Sequence, residues 1–234
     1  MHSHKQSEAH LESSAFISDI VIGIADGLTV PFALAAGLVS AVDSNLIITT
    51  AGIAEIAAGS IAMGLGGYLA GRTEIDHYQS ELKREYEEVE RFPEEEKEEV
   101  MEVFEEYGIS KRLQIEVAEE MSQNKDNWVN FMMRFELGLE QPHPKRAIKS
   151  ALNIGIAYIV GGLIPMVPYF MTSTPVEGLK YSTVITIACL AVFGYFKSKV
   201  TGQPLFQGTL KVVIIGVLAA GAAFSIASLL SGNY

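Results

Sequence analysis

The chain has 234 residues, a formal net charge of −11, 49% hydrophobic and 19% charged residues, and one cysteine. That charge repels nucleic-acid phosphates, and the lone Cys189 excludes a disulfide framework or a thiolate metal cluster. Apolar content this high beside this much charge implies segregation: residues 74–140 hold 21 acidic and 8 basic residues, while the rest of the chain is net +2.

In chain order, residues 1–15 are polar, carry His2, His4 and His10, and predict a disordered tail. A bilayer core takes about 20 apolar residues, and five spans meet that length, at roughly 16–42, 46–71, 147–170, 179–197 and 207–230. The composition therefore predicts an all-α membrane protein with transmembrane helices 1–2 in 16–73 and helices 3–5 in 143–234. Basic residues cluster at one set of span ends: Arg72, Lys145, Arg146, Lys149, Lys197, Lys199 and Lys211. Positive flanks face the cytosol, so the N-terminus and residues 74–142 are expected there, with the C-terminus on the far side.

The first span reads "VIGIADGLTVPFAL", with Asp26 inside an apolar run and Asp19 seven residues earlier on the same helical face. Glu55 interrupts the second span, beside a stripe of Ala54, Ala58, Ala62, Gly66 and Ala70 whose spacing lets helices approach closely. Intramembrane carboxylates mark ion or proton paths, and no basic residue occurs deep in any span to pair with them. Pro31 cannot donate to the carbonyl of Gly27, which leaves an acceptor next to Asp26 suited to a partly dehydrated cation. Met63 is read from spacing either as packing in a small-residue helix or as a thioether ligand.

No Pro lies between Asn45 and Phe92, which predicts one helix of about 47 residues running out of the membrane. Pro93 breaks it and opens a second helix that Gly108 stops, Ser110 caps a third, and a fourth runs from about Asp126 to Leu139. Residues 74–142 thus form a helical acidic domain, three helices beyond the extended one. Most of its glutamates belong to solvated faces. Glu85 and Glu88 sit beside the stripe Tyr78, Leu82, Tyr86 and Val89. Glu96 and Glu99 extend the apolar face of Val100, Val103, Phe104 and Tyr107 by one turn, and Glu136 shares a face with Trp128, Met132 and Leu139. Carboxylates aimed at helix interfaces are costly unless a cation joins them, so these three clusters predict a divalent-metal cage. Met132 is either a softer ligand that favours Fe(II) or plain core filler. A di-iron oxidase needs two Glu-x-x-His pairs; only Glu74 and His77 form one, which disfavours an enzyme.

The stretches "GIADGLTVPFALAAGL", "AGIAEIAAGSIAMGLGGYLAGR", "SALNIGIAYIVGGLIPMVPY" and "GYFKSKVTG" resemble the vacuolar iron transporter family, in the branch whose acidic cytosolic insert is typical of plants. The resemblance begins near Phe16 and covers nearly all of the chain. It implies a five-helix homodimer in the vacuolar membrane that exports ferrous iron from the cytosol in exchange for protons, with Mn(II), Co(II) or Zn(II) as further substrates and no prosthetic group. It implies a path through Asp26 and Met63 with Glu55 as an embedded acid, and metal ligands at Glu85, Glu88, Glu96, Glu99, Met132 and Glu136. Glu102 and Glu105 repeat the spacing and rank second. A membrane-anchored metal buffer or sensor without transport is the alternative.

Overall fold

The structure, a computed structural model, describes the backbone of residues 2–231 and the side chains of residues 15–229. Its elements are α1 (His2–Val39), α2 (Asn45–Arg91), α3 (Pro93–Glu106), α4 (Lys111–Ser122), α5 (Lys125–Phe131), a π turn (Met132–Glu136), α6 (Arg146–Met171), α7 (Pro175–Val200) and α8 (Leu205–Ser231). No strand occurs among the described residues. Helix α1 begins at His2, inside the expected tail; residues 1–15 hold no Gly or Pro to break it, and the side chains of the three tail histidines lie outside the described residues. The chain divides into two compact units, residues 1–69 with 147–234, and residues 70–146.

Among the described residues five helices, α1, α2, α6, α7 and α8, are long and apolar enough to cross a membrane. In hydrocarbon every backbone amide must be satisfied internally, which selects helices from such sequences. Pro31, Pro165 and Pro168 lie inside helices that continue through them. Pro31 is buried within a continuous α1. The Ser182 hydroxyl of α7 donates to the Pro165 carbonyl of α6 at 2.7 Å, and Thr172 donates to the Pro168 carbonyl at 2.9 Å. At the start of α2 the Asn45 amide donates to the Thr172 carbonyl at 2.6 Å, closing the end of α6. Ala35, Ile48, Ile56, Met166 and Tyr169 form the apolar core of the first unit.

Helices α1 and α6 meet backbone to backbone. A Cβ on Gly27 would stand 2.4 Å from the Tyr158 carbonyl oxygen and 3.0 Å from its Cα. Neither atom can swing aside, so Gly27→Ala must push the helices apart. We expect it to cost about 1–3 kcal/mol, the usual range for overpacking. A thermal melt of the detergent-solubilised protein checks this; an unchanged midpoint would mean that the two helices are not held at this distance.

In the second unit Val89, Val100, Ala118, Trp128, Val129, Met132 and Met133 form the core, with Phe104 stacked on Phe131 at 5.4 Å. Pro93 occupies the first turn of α3, and Gly108 ends it in the left-handed conformation at φ 73°. Three details differ from the sequence reading. Tyr107 is exposed, because it falls on the cap of α3 just before the chain turns away. Ser110 stands at the cap position of α4 with extended backbone but makes no side-chain capping bond. The fourth helix is shorter: Asn124 caps α5 by accepting from the Asn127 amide at 3.0 Å, and the chain then widens into the π turn. There Leu137 donates to the carbonyl five residues back, on Met132, before Gly138 stops the coil at φ 63°.

Candidate functional site

Two groups of carboxylates stand out, one in each unit. In the first unit Asp19 is 3% exposed, and its carboxylate accepts from the Ser150 hydroxyl at 3.0 Å and the Asn153 amide at 3.4 Å, both on α6. Asp26 lies two turns further along α1 and is half-buried; no hydrogen bond or ion pair ties its carboxylate down among the described residues. On α2, Glu55 accepts a 2.5 Å hydrogen bond from the Tyr158 hydroxyl through one oxygen, while its other oxygen is buried without a partner. Asp26 and Glu55 both lie within electrostatic reach of Tyr158. Met63 is half-buried on α2.

The α6 polar set of Ser150, Asn153 and Tyr158 is absent from the sequence-based site. Its signal was present as polar residues spaced by three and five within an apolar span, which puts Ser150 and Asn153 on one face. The Gly59 of α2 explains how Tyr158 comes so close, since a Cβ there would stand 2.5 Å from the Tyr158 hydroxyl oxygen.

In the second unit Glu85 and Glu96 are 2% and 5% exposed, and each has one carboxylate oxygen buried with no partner. Burial of an unpaired charge is expensive, so these carboxyls hold their protons tightly. Glu85 is pushed up to about 7 by burial first and then by Glu136 and Glu88. Glu96 is pushed up to about 8 by burial, then by Glu99, Glu85, Glu88 and Glu136. Glu99 and Glu136 are also raised, burial leading in both. Glu136 is exposed as a residue, yet burial and then the charges of Glu99 and Glu88 act on its carboxyl. Five sequence-predicted ligands therefore share one electrostatic neighbourhood: Glu85, Glu88, Glu96, Glu99 and Glu136.

Others stand apart. Met132 is fully buried in the apolar core. Glu102 reaches the cluster only through its effect on Glu99, and Glu105 is exposed. Among the described residues no three His, Cys, Asp or Glu side chains converge as a ready chelate. The unpartnered oxygens of Glu85 and Glu96 nevertheless fit a cation, since hard oxygen donors lacking hydrogen-bond partners are what a divalent ion satisfies. Glu74 and His77, the one oxidase-like pair, are engaged elsewhere, by Arg146 at 3.6 Å and Glu81 at 3.7 Å.

The raised values fix a sign. Between the ordinary carboxyl value of 4.5 and about 8, the folded insert binds more protons than the unfolded chain. Stability from these groups is full at the acid end and falls as pH rises through 7 and 8. A divalent ion needs the ionised forms, so its stabilising effect grows over the same window. Thermal melts with and without Mn(II) on the two sides of that window test this; a Mn(II) shift equal at both ends would contradict it.

Comparison with known proteins gives a family model match, to the VIT family, over residues 17–228. The chain is 47% identical to "Vacuolar iron transporter 1" of Oryza sativa subsp. japonica over 96% of its own length and 89% of the relative's. It is 48% identical to "Vacuolar iron transporter 1" of Arabidopsis thaliana over 94% and 88%. It is 38% identical to "Protein CCC1" of Saccharomyces cerevisiae over 92% and 69%.

Proposed function

The chain belongs to the VIT family, whose members are transporters and not enzymes, and on that premise we propose that it carries ferrous iron from the cytosol into the vacuole in exchange for protons. The observation that carries the reading is the pair Asp26 and Glu55. Both lie in apolar helices, and no Lys or Arg occurs in residues 16–39 or 46–71 to neutralise them. Carboxylates so placed need a visiting cation or proton. A carboxylate can hold a proton or a metal ion but not both at once, so one group can alternate between the two cargoes.

Asp26 and Met63 line the path in this reading, with Glu55 as the embedded acid. Thioether sulfur beside carboxylate oxygen favours Fe(II), Co(II) or Zn(II) over Mg(II) and Ca(II), with Mn(II) also admitted. A second copy of the chain supplies the other half of the pore. The α2 residues Ala54, Ala58, Ala62, Gly66 and Ala70 are all exposed in the single chain, a small-residue stripe suited to close packing against a partner. Positive flanks put the N-terminus and the acidic unit in the cytosol and the C-terminus in the vacuolar lumen. On the cytosolic side Glu85, Glu88, Glu96, Glu99 and Glu136 of the acidic unit collect the metal.

Anaerobic proteoliposomes distinguish transport from buffering. Iron that has crossed stays with the vesicles when an impermeant chelator is added outside. Iron that is stripped completely by the chelator would leave only a membrane-anchored buffer.

A further inference from the structure

The acidic unit gathers Glu85, Glu88, Glu96, Glu99 and Glu136 in one electrostatic neighbourhood. One cation is already among them. Arg84 lies on α2 between three glutamates, with its guanidinium 2.7 Å from Glu81, 3.3 Å from Glu88 and 3.8 Å from Glu85. Glu81 and Glu88 are one turn to either side of it, and the guanidinium bridges them, through Nη2 to Glu81 and through Nε to Glu88. The side chain is half-exposed, and Glu81 itself is only 16% exposed, with His77 at 3.7 Å on its far oxygen. Glu99 and Glu136 feel the same guanidinium from α3 and the π turn. Glu85 keeps one oxygen buried and unpartnered beside it.

Resting on the metal-binding reading above, we propose that Arg84 is a tethered counter-cation that competes with the divalent metal for Glu85 and Glu88, and that Glu81 holds the guanidinium once the metal has taken them. The arrangement has a physical logic. Five neighbouring carboxylates repel each other, and an internal cation relieves that repulsion without filling the cluster. Arginine cannot lose its charge, so it can leave only by moving. A metal that displaces it must overcome its attraction for Glu85 and Glu88, and Glu81 lowers that cost by keeping the charge paired. The mutual repulsion of the carboxylates is thereby relieved before metal arrives, and metal is held more loosely than by the carboxylates alone. Glu81 is then neither a ligand nor a plain helix-surface charge.

The two residues make opposite predictions. Mn(II) is titrated into the full chain in detergent micelles, and free Mn(II) is read from its EPR signal. The chain with Glu96→Ala and Glu99→Ala supplies the background from membrane sites. Arg84→Gln removes the competitor and tightens Mn(II) binding about two- to fivefold, the scale of a half-exposed ion pair. Arg84→Lys keeps the charge and stays near the parent. Glu81→Gln removes the resting place and weakens binding several-fold, although no ligand is touched. The double variant Arg84→Gln with Glu81→Gln matches Arg84→Gln alone, because there is no guanidinium left to hold. An arginine that merely braces the fold gives the reverse sign, with looser binding on its removal. A parent chain that binds no more Mn(II) than the background variant defeats the metal-binding reading and this inference together. A parent that binds, with Arg84→Gln unchanged or weaker, overturns the inference alone. Should Arg84→Gln fail to fold, Glu81→Gln decides: unchanged or tighter binding overturns the proposal.

Discussion

Asp26→Asn reduces Fe(II) entry into proteoliposomes to the level of protein-free vesicles, while the protein still folds and assembles. Asparagine keeps the shape of aspartate and removes its charge. The structural cost is small, because no hydrogen bond or ion pair depends on the Asp26 carboxylate among the described residues. Asp19 is different. Its carboxylate is the acceptor for Ser150 and Asn153, so Asp19→Asn disturbs the α1–α6 contact and its phenotype mixes stability with transport. Met63→Leu is the companion test: it keeps volume and removes sulfur, so packing alone leaves transport intact, while ligation lowers it most for the softer metals. Asp26→Asn that moves Fe(II) at the parent rate places the path elsewhere.

Replacing Glu96 and Glu99 together by Ala removes most of the thermal stabilisation that Mn(II), Zn(II) or Fe(II) confers on the acidic unit. Ligand stabilisation follows RT ln(1 + [L]/Kd), about 2.7 kcal/mol when free metal is one hundred times Kd. Without metal the double variant is at least as stable as the parent above pH 8, since it no longer carries a carboxyl that burial pushes up to about 8. The matched control is Glu94→Ala with Glu98→Ala, which removes the same charge from the solvated side of α3; Glu94 is exposed and pairs with Lys97 at 3.2 Å. If this control abolishes the metal shift equally, binding is a diffuse counterion effect and the clustered site fails.

Much of this was legible because hydrophobic periodicity is local. Counting four residues back from Val100 finds Glu96, and flanking Leu82, Tyr86 and Val89 finds Glu85; the structure buries both carboxylates. The apolar runs that interrupt themselves with Asp19, Asp26 and Glu55 were equally plain. What stayed hidden depends on distant residues or on geometry without a composition. Ser150 and Tyr158 reach their carboxylates across more than 100 residues, and nothing near Asp19 or Glu55 announces them. The π turn at Met132–Glu136 changes hydrogen-bond spacing without a distinctive residue, so the sequence pattern carries the last acidic-unit helix on to Leu139 although its α-helical part ends at Phe131. Arg84 looked like one charge among many, and its position among Glu81, Glu85 and Glu88 is a matter of rotamers.

The central claim is that metal and protons cross the same protein in opposite directions. It is tested by proteoliposomes that report internal Fe(II) and internal pH at once, in anaerobic buffer, with the pH gradient imposed in either direction. The account predicts that Fe(II) enters faster when the inside is acidic, that each pulse of Fe(II) alkalinises the inside, and that Asp26→Asn abolishes both signals. Fe(II) entry that is the same under both gradients, with no movement of internal pH, would contradict it.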